Sequence, residues 1–115
     1  MKIDGNDVQL MFSYSKWRDW LQATRKELQV EGFDVQFRCG PDDGHKPGMS
    51  LGLAGAHAIG LFETWVTGEA DYHIVTPPSP QAKMVAHKFG LVLSDGTFEM
   101  TFAEFLAEFR RQNSN

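Results

Sequence analysis

One stretch constrains this chain more than any other: Gly60-Leu-Phe-Glu-Thr-Trp-Val-Thr-Gly-Glu-Ala-Asp-Tyr-His-Ile74. Apolar and polar residues alternate on both sides of Gly68-Glu69, so it reads as a β-hairpin. A two-residue turn with glycine first is type II′, the kind that suits strand twist. That turn pairs Thr67 with Ala70, Trp65 with Tyr72 and Glu63 with Ile74. The register predicts a core face of Leu61, Trp65, Ala70, Tyr72 and Ile74, with Glu63 among them. Phe62, Thr64, Val66, Asp71, His73 and Val75 take the opposite face. Glu63 is the awkward member, because an unpaired buried carboxylate is costly.

The rest of the chain supplies the layers around this hairpin. From Ser15 to about Glu31, Trp17, Leu21, Thr24 and Leu28 recur at helical spacing and Trp20 widens the stripe. Ser13 or Ser15 is placed to cap this helix, and Gly32 to end it in the left-handed conformation. Phe33-Asp-Val-Gln-Phe-Arg-Cys39 alternates strictly, which puts Phe33, Val35, Phe37 and Cys39 on one face of a half-buried strand. Gly40 to Gly48 is a loop by composition. Met49-Ser-Leu-Gly-Leu-Ala54 alternates again, with Met49, Leu51 and Leu53 inward, and Gly55-Ala-His57 turns the chain. Thr76 to Gln81 holds three prolines, which exclude helix and central strand.

Lys83 to Leu93 favours a strand, with Gly90 as a bulge, and Ser94-Asp-Gly96 turns it. Phe98 and Met100 then read as a brief extended piece. Thr101-Phe-Ala-Glu104 has the form of a capping box, with Met100 stapled on Phe105. Phe102, Phe105, Leu106 and Phe109 form a helical stripe, Arg110 and Arg111 suit the negative helix end, and residues 112–115 are expected to fray. The expected fold is α+β: a mostly antiparallel sheet of four to five strands with an N-terminal and a C-terminal helix packed on one face. At 115 residues the chain is expected to be a single domain, 1–115, long enough to bury about two-thirds of its unfolded surface.

Charge and motif narrow the function. A formal net charge of −4 disfavours nucleic acid, whose binding rests on basic patches, and suits a basic protein partner. Cys39 is the only cysteine, the first residues carry no signal-like apolar run, and no stretch approaches a membrane span. A cytoplasmic protein with no membrane role is expected. The four histidines are scattered, without His-Glu-x-x-His or Cys-x-x-Cys, and the Asp42, Asp43, His45 loop lacks calcium-ligand spacing. Gly52 and Gly55 lack a phosphate loop's Gly-Lys-Ser/Thr ending. Neither metal nor cofactor is expected. Asp71 and His73 share a strand face and resemble half of a catalytic triad, but no nucleophile elbow accompanies them.

Trp17, Leu21, Arg25 and Leu28 in the first helix, the strand Phe33-Asp-Val-Gln-Phe37, the segment Gly60 to Asp71 and a short terminal helix together resemble the TriTu family of immunity proteins from bacterial interbacterial-toxin systems. Trp65-Val-Thr-Gly-Glu-Ala-Asp71 is the sharpest part of that likeness, which spans roughly residues 15–110. The resemblance implies a non-enzymatic antidote that binds a cognate toxin. The toxin class it implies is an ADP-ribosyltransferase that modifies elongation factor Tu and is delivered by contact-dependent, type VI-type secretion. Neutralisation would be by occlusion of the active site. Acidic side chains speed encounter with a basic cleft, so the expected partner-binding residues are Asp42, Asp43, Glu69, Asp71 and His73. Two other readings stay open at this point. One is a small ligand-binding domain or enzyme using Asp71, His73 and Glu63 in a pocket; the other is an adaptor that pairs through a strand edge.

Overall fold

A computed structural model describes residues 11–40, 47–76 and 83–114. Helix α1 (Tyr14–Glu31) leads into β1 (Asp34–Cys39), β2 (Gly48–Ala54), β3 (Ile59–Trp65), β4 (Glu69–Thr76) and β5 (Lys83–Val92), and helix α2 (Phe98–Gln112) closes the order. The strands form one sheet in the order β1-β2-β3-β4-β5, antiparallel at every junction. Each neighbour in space is the neighbour in sequence, so short connections suffice. This is the expected α+β architecture.

Both helices lie on one face. Trp17, Leu21 and Leu28 of α1, and Phe98, Phe102, Phe105, Leu106 and Phe109 of α2, are buried. Phe62 of β3 is fully buried and meets Phe98, Phe102 and Phe105 at ring-centroid distances of 5.7, 5.2 and 5.5 Å. Trp17 stacks on Phe98 at 4.4 Å. Met49, Leu51 and Leu53 of β2 point into the same core, as their alternation requires. Gly60 leaves the space this packing needs, since a Cβ there would stand 3.0 Å from the Phe105 ring and 3.1 Å from that of Phe109.

Several local expectations are met. Gly32 ends α1 at φ 110°, and its N–H bonds back to the last turn. Gly90 adopts φ 73° where the β4–β5 register shifts between Ala70 and Tyr72, as a bulge does. Gly55 N–H donates to Ala58 O at 2.9 Å and closes the β2–β3 turn.

The hairpin register differs from the expected one. Thr64 pairs with Ala70, Glu63 with Asp71, Phe62 with Tyr72 and Leu61 with His73. Gly68 N–H donates to Trp65 O at 2.8 Å, so the turn spans Trp65–Gly68 rather than Gly68-Glu69. Gly68 holds φ 91°. The expected pairs differ from these by an odd number of residues, and an odd slip exchanges the faces of one strand relative to the other. Ala70, Tyr72 and Ile74 face the core as expected. On β3 the inward residues are Gly60, Phe62 and Thr64, while Leu61, Glu63 and Trp65 face away. Burying Phe62 in place of Glu63 removes the cost of a buried carboxylate.

The helix ends also differ. α2 begins at Phe98, one turn before the expected cap, so Thr101 and Glu104 are interior. Thr97 holds the N-cap position, and its Oγ1 accepts from Ser94 N at 2.9 Å to fix the preceding turn. Phe98 is a fully buried helical residue, and Met100 is 67% exposed rather than stapled on Phe105. Ser13 precedes α1, but its hydroxyl donates to Asp95 instead of capping the helix. The C-terminal end is tied down: Asn113 Oδ1 accepts from His57 N and Ala58 N, both at 2.8 Å. Cys39 is exposed at the sheet edge, near the Tyr14 hydroxyl at 3.6 Å.

Candidate functional site

With two helices on one face, the other face of the sheet is bare among the described residues. Its side chains fall into cross-strand rows set by the register. One row runs Gln36, Gly52, Leu61, His73, His87; the next runs Arg38, Ser50, Glu63, Asp71 and reaches Gly90; a third brings Trp65 beside Gly48. Ile59 and Val75 pair at the far end. Ile59 is 45% exposed and Phe89 on β5 is 55% exposed. The face is thus mixed: Ile59, Leu61 and Trp65 lie among Gln36, Arg38, Ser50, Glu63, Asp71 and the histidines His73 and His87.

Two of the five expected contact residues, Asp42 and Asp43, lie outside the described residues. The other three are brought together on β4. Glu69 is exposed at its start and accepts from Thr67 Oγ1 at 3.1 Å. Asp71 is half-buried, and its Oδ1 accepts from Gly90 N at 2.8 Å across the bulge. His73 is half-buried opposite Leu61 and His87, with the Phe89 ring 6.3 Å away. No hydrogen bond joins Asp71 to His73 among the described residues, so the pair has no orienting contact of the kind a triad uses. Among the described residues no group of three or more His, Cys, Asp or Glu is placed to hold a metal ion.

Glu63 and Trp65 share this face, although the expected register sent them to the core. Glu63 lies opposite Asp71. The Trp65 indole covers Gly48, where a Cβ would come within 2.9 Å of Cδ1. The sequence held one clue to this placement, namely that Glu63 on a core face demanded a partner the chain did not offer. Shallow hollows mark the surface. One of about 260 Å³ is lined by Trp65, Glu69, Asp71 and residues Gly90 to Val92. A wider one of about 510 Å³ opens where Gly52 has no side chain, between Gln36, Ile59, Leu61 and His73.

The covered side is held by polar clasps. Tyr72 Oη donates to Glu104 Oε1 at 3.2 Å, and Lys88 Nζ reaches both Glu104 oxygens at 3.0 and 3.1 Å. Burial, with the Glu104 charge adding to it, pushes the Tyr72 phenol up to about 12. Asp95 sits in the β5–α2 turn and accepts from Ser13 N at 2.7 Å, Ser13 Oγ at 2.6 Å and Trp17 Nε1 at 2.8 Å. Burial acts to raise its pKa, but the Ser13 and Trp17 hydrogen bonds and the Lys16 charge outweigh it and hold the carboxyl below its ordinary value. Arg110 donates to both oxygens of Glu31 at 2.8 and 2.7 Å and joins the ends of the two helices.

These features define a small α+β protein with both helices on one face of its sheet and the other face bare among the described residues. The family model of Immunity protein TriTu matches residues 15–108, which takes in all five strands and both helices except Tyr14 at the start of α1 and the last turn of α2. The chain belongs to that family, whose business is immunity to a toxin. Comparison with curated proteins and with solved structures finds no match. Among the described residues no helix is long and apolar enough to cross a membrane.

Proposed function

We propose that the chain neutralises a cognate toxin of the ADP-ribosyltransferase class, directed at elongation factor Tu and delivered by type VI-type secretion. In this reading it acts in the cytoplasm without catalysis of its own, by binding the toxin and occluding its active site. The observation that carries the reading is the family match over residues 15–108. The bare sheet face supports it with a surface of suitable character, on which Glu69, Asp71 and His73 lie together. Asp42 and Asp43, which fall between β1 and β2 in the sequence, are proposed as part of the same contact. A chain of net charge −4 gains in encounter rate with a basic cleft.

Co-expression with the toxin domain encoded beside the chain tests this. Rescue of growth and a stoichiometric complex are expected. Charge reversal at both Glu69 and Asp71 is expected to weaken the complex by about tenfold or more and to slow association at low salt. Unchanged affinity of that double variant in a binding titration would remove those residues from the contact.

A further inference from the structure

The bare sheet face carries a local conflict. Glu63 and Asp71 stand directly opposite one another on β3 and β4, both on the uncovered side. Like charges at directly opposed positions of an antiparallel pair are destabilising. The Gly90 N–H, 2.8 Å from Asp71 Oδ1, satisfies one oxygen of the four. Among the described residues neither carboxylate has an ion-pair partner. The cation in their row is Arg38, but Ser50 stands between it and Glu63. Two strand spacings, about 10 Å, separate those backbones. The Arg38 guanidinium instead lies 3.5 Å from Gln36 Oε1.

Ser50 stands opposite Glu63 on β2, and Arg38 lines the same shallow hollows without pairing with it, while along β3 its same-face neighbours are apolar. Leu61 precedes Glu63 by one same-face position on β3 and Trp65 follows it by one. Trp65 also lines the hollow that Asp71 borders. Two carboxylates whose Cβ atoms stand about 5 Å apart can share one guanidinium or ammonium group. An indole face beside them attracts the same cation. A conflict that costs the isolated domain stability and that a cation would relieve is the pattern expected of a binding surface.

We propose that the bare sheet face docks a basic segment of the toxin, with one arginine or lysine side chain set between Glu63 and Asp71 against Trp65. This rests on the toxin-neutralising reading above and adds to it the residues at the centre of the contact. Ile59, Leu61 and the hollow over Gly52 receive the aliphatic part of the same segment.

The test pairs stability with binding. Wild type, Glu63→Gln and Asp71→Asn are unfolded in urea, and each is titrated with the toxin domain encoded beside the chain at low and high salt. Glu63→Gln is expected to unfold at a higher urea midpoint than wild type, because it removes one of two like charges at opposed strand positions. The same variant is expected to bind the toxin about tenfold or more weakly, with a flatter salt dependence. Asp71→Asn keeps an acceptor for Gly90 N–H and is expected to weaken binding similarly. If wild type binds the toxin and both variants bind as tightly, this docking is wrong while the neutralising function stands. A Glu63→Gln variant less stable than wild type would overturn the proposal too, since the pair would then be structural. If wild type does not bind the toxin, the functional reading fails and the docking falls with it.

Discussion

Asp95 offers the sharpest test of how the two helices are joined. Its carboxylate accepts from Ser13 N, Ser13 Oγ and Trp17 Nε1 at 2.6 to 2.8 Å. Its own N–H donates to Met11 O at 2.6 Å, but that bond survives any side-chain change. Hydrogen bonds to a charged group contribute about 1.5–3 kcal/mol each, and bonds that share one acceptor group do not add fully. Trp17 is 3% exposed, so its indole N–H has little access to water if the acceptor is lost. Leaving such a donor unsatisfied costs about 1–3 kcal/mol. Asp95→Ala is therefore expected to destabilise the protein by about 3–4 kcal/mol, and Asp95→Asn, which keeps one acceptor oxygen, by about 1–2 kcal/mol. Urea unfolding followed by tryptophan fluorescence reads both values.

The pH dependence follows from the same contacts. The Asp95 pKa is lowered in the folded state. Its contribution is therefore fully present above the unfolded value near 3.8 and is lost as pH falls through the folded value. Wild type should lose stability over that acid range more steeply than Asp95→Asn. A cost below about 0.5 kcal/mol for Asp95→Ala, within the range of ordinary surface substitutions, would refute the view that this carboxylate clasps α1 to the β5–α2 turn.

Two further outcomes are expected. Gly68→Ala should destabilise by about 1–3 kcal/mol in thermal or urea unfolding, because Gly68 holds φ 91° and a Cβ would meet Leu93 O at 2.6 Å; a neutral effect would show that the Trp65–Gly68 turn is misassigned. Tyr72 is expected to ionise near 12 rather than 10, so ultraviolet absorbance should show little phenolate at pH 10.5, and stability should fall as pH rises from the unfolded value of 10.0 through the folded one.

Much of the scaffold was legible from periodicity. The strict alternation of Met49, Leu51 and Leu53 and the helical stripe of Phe102, Phe105, Leu106 and Phe109 each describe a face that must be buried, whatever it is buried against. Gly32 and Gly90 marked a helix end and a bulge because the left-handed backbone favours glycine. Of the candidate contact residues, Asp71 and His73 were correctly placed outward, since β4's own pattern of Ala70, Tyr72 and Ile74 is unambiguous.

The features misread were those that local pattern does not decide. β3 is apolar on both faces, with Leu61 and Trp65 on one and Phe62 on the other, so its orientation hung on the turn alone. The start of α2 was obscured because Thr101 and Glu104 have the form of a cap, whereas the actual boundary depends on Phe98 packing against Trp17 and Phe62. Asn113 looked like a frayed tail because its partners, His57 and Ala58, are far away in sequence. Spacing along the chain thus determined the elements, their apolar faces and the α+β class. Only tertiary structure decided which face of β3 the sheet buries, and with it the placement of Glu63 and Trp65. The physical reason is that the aromatic cluster on the helices has room for Phe62 and offers a Glu63 carboxylate nothing to pair with.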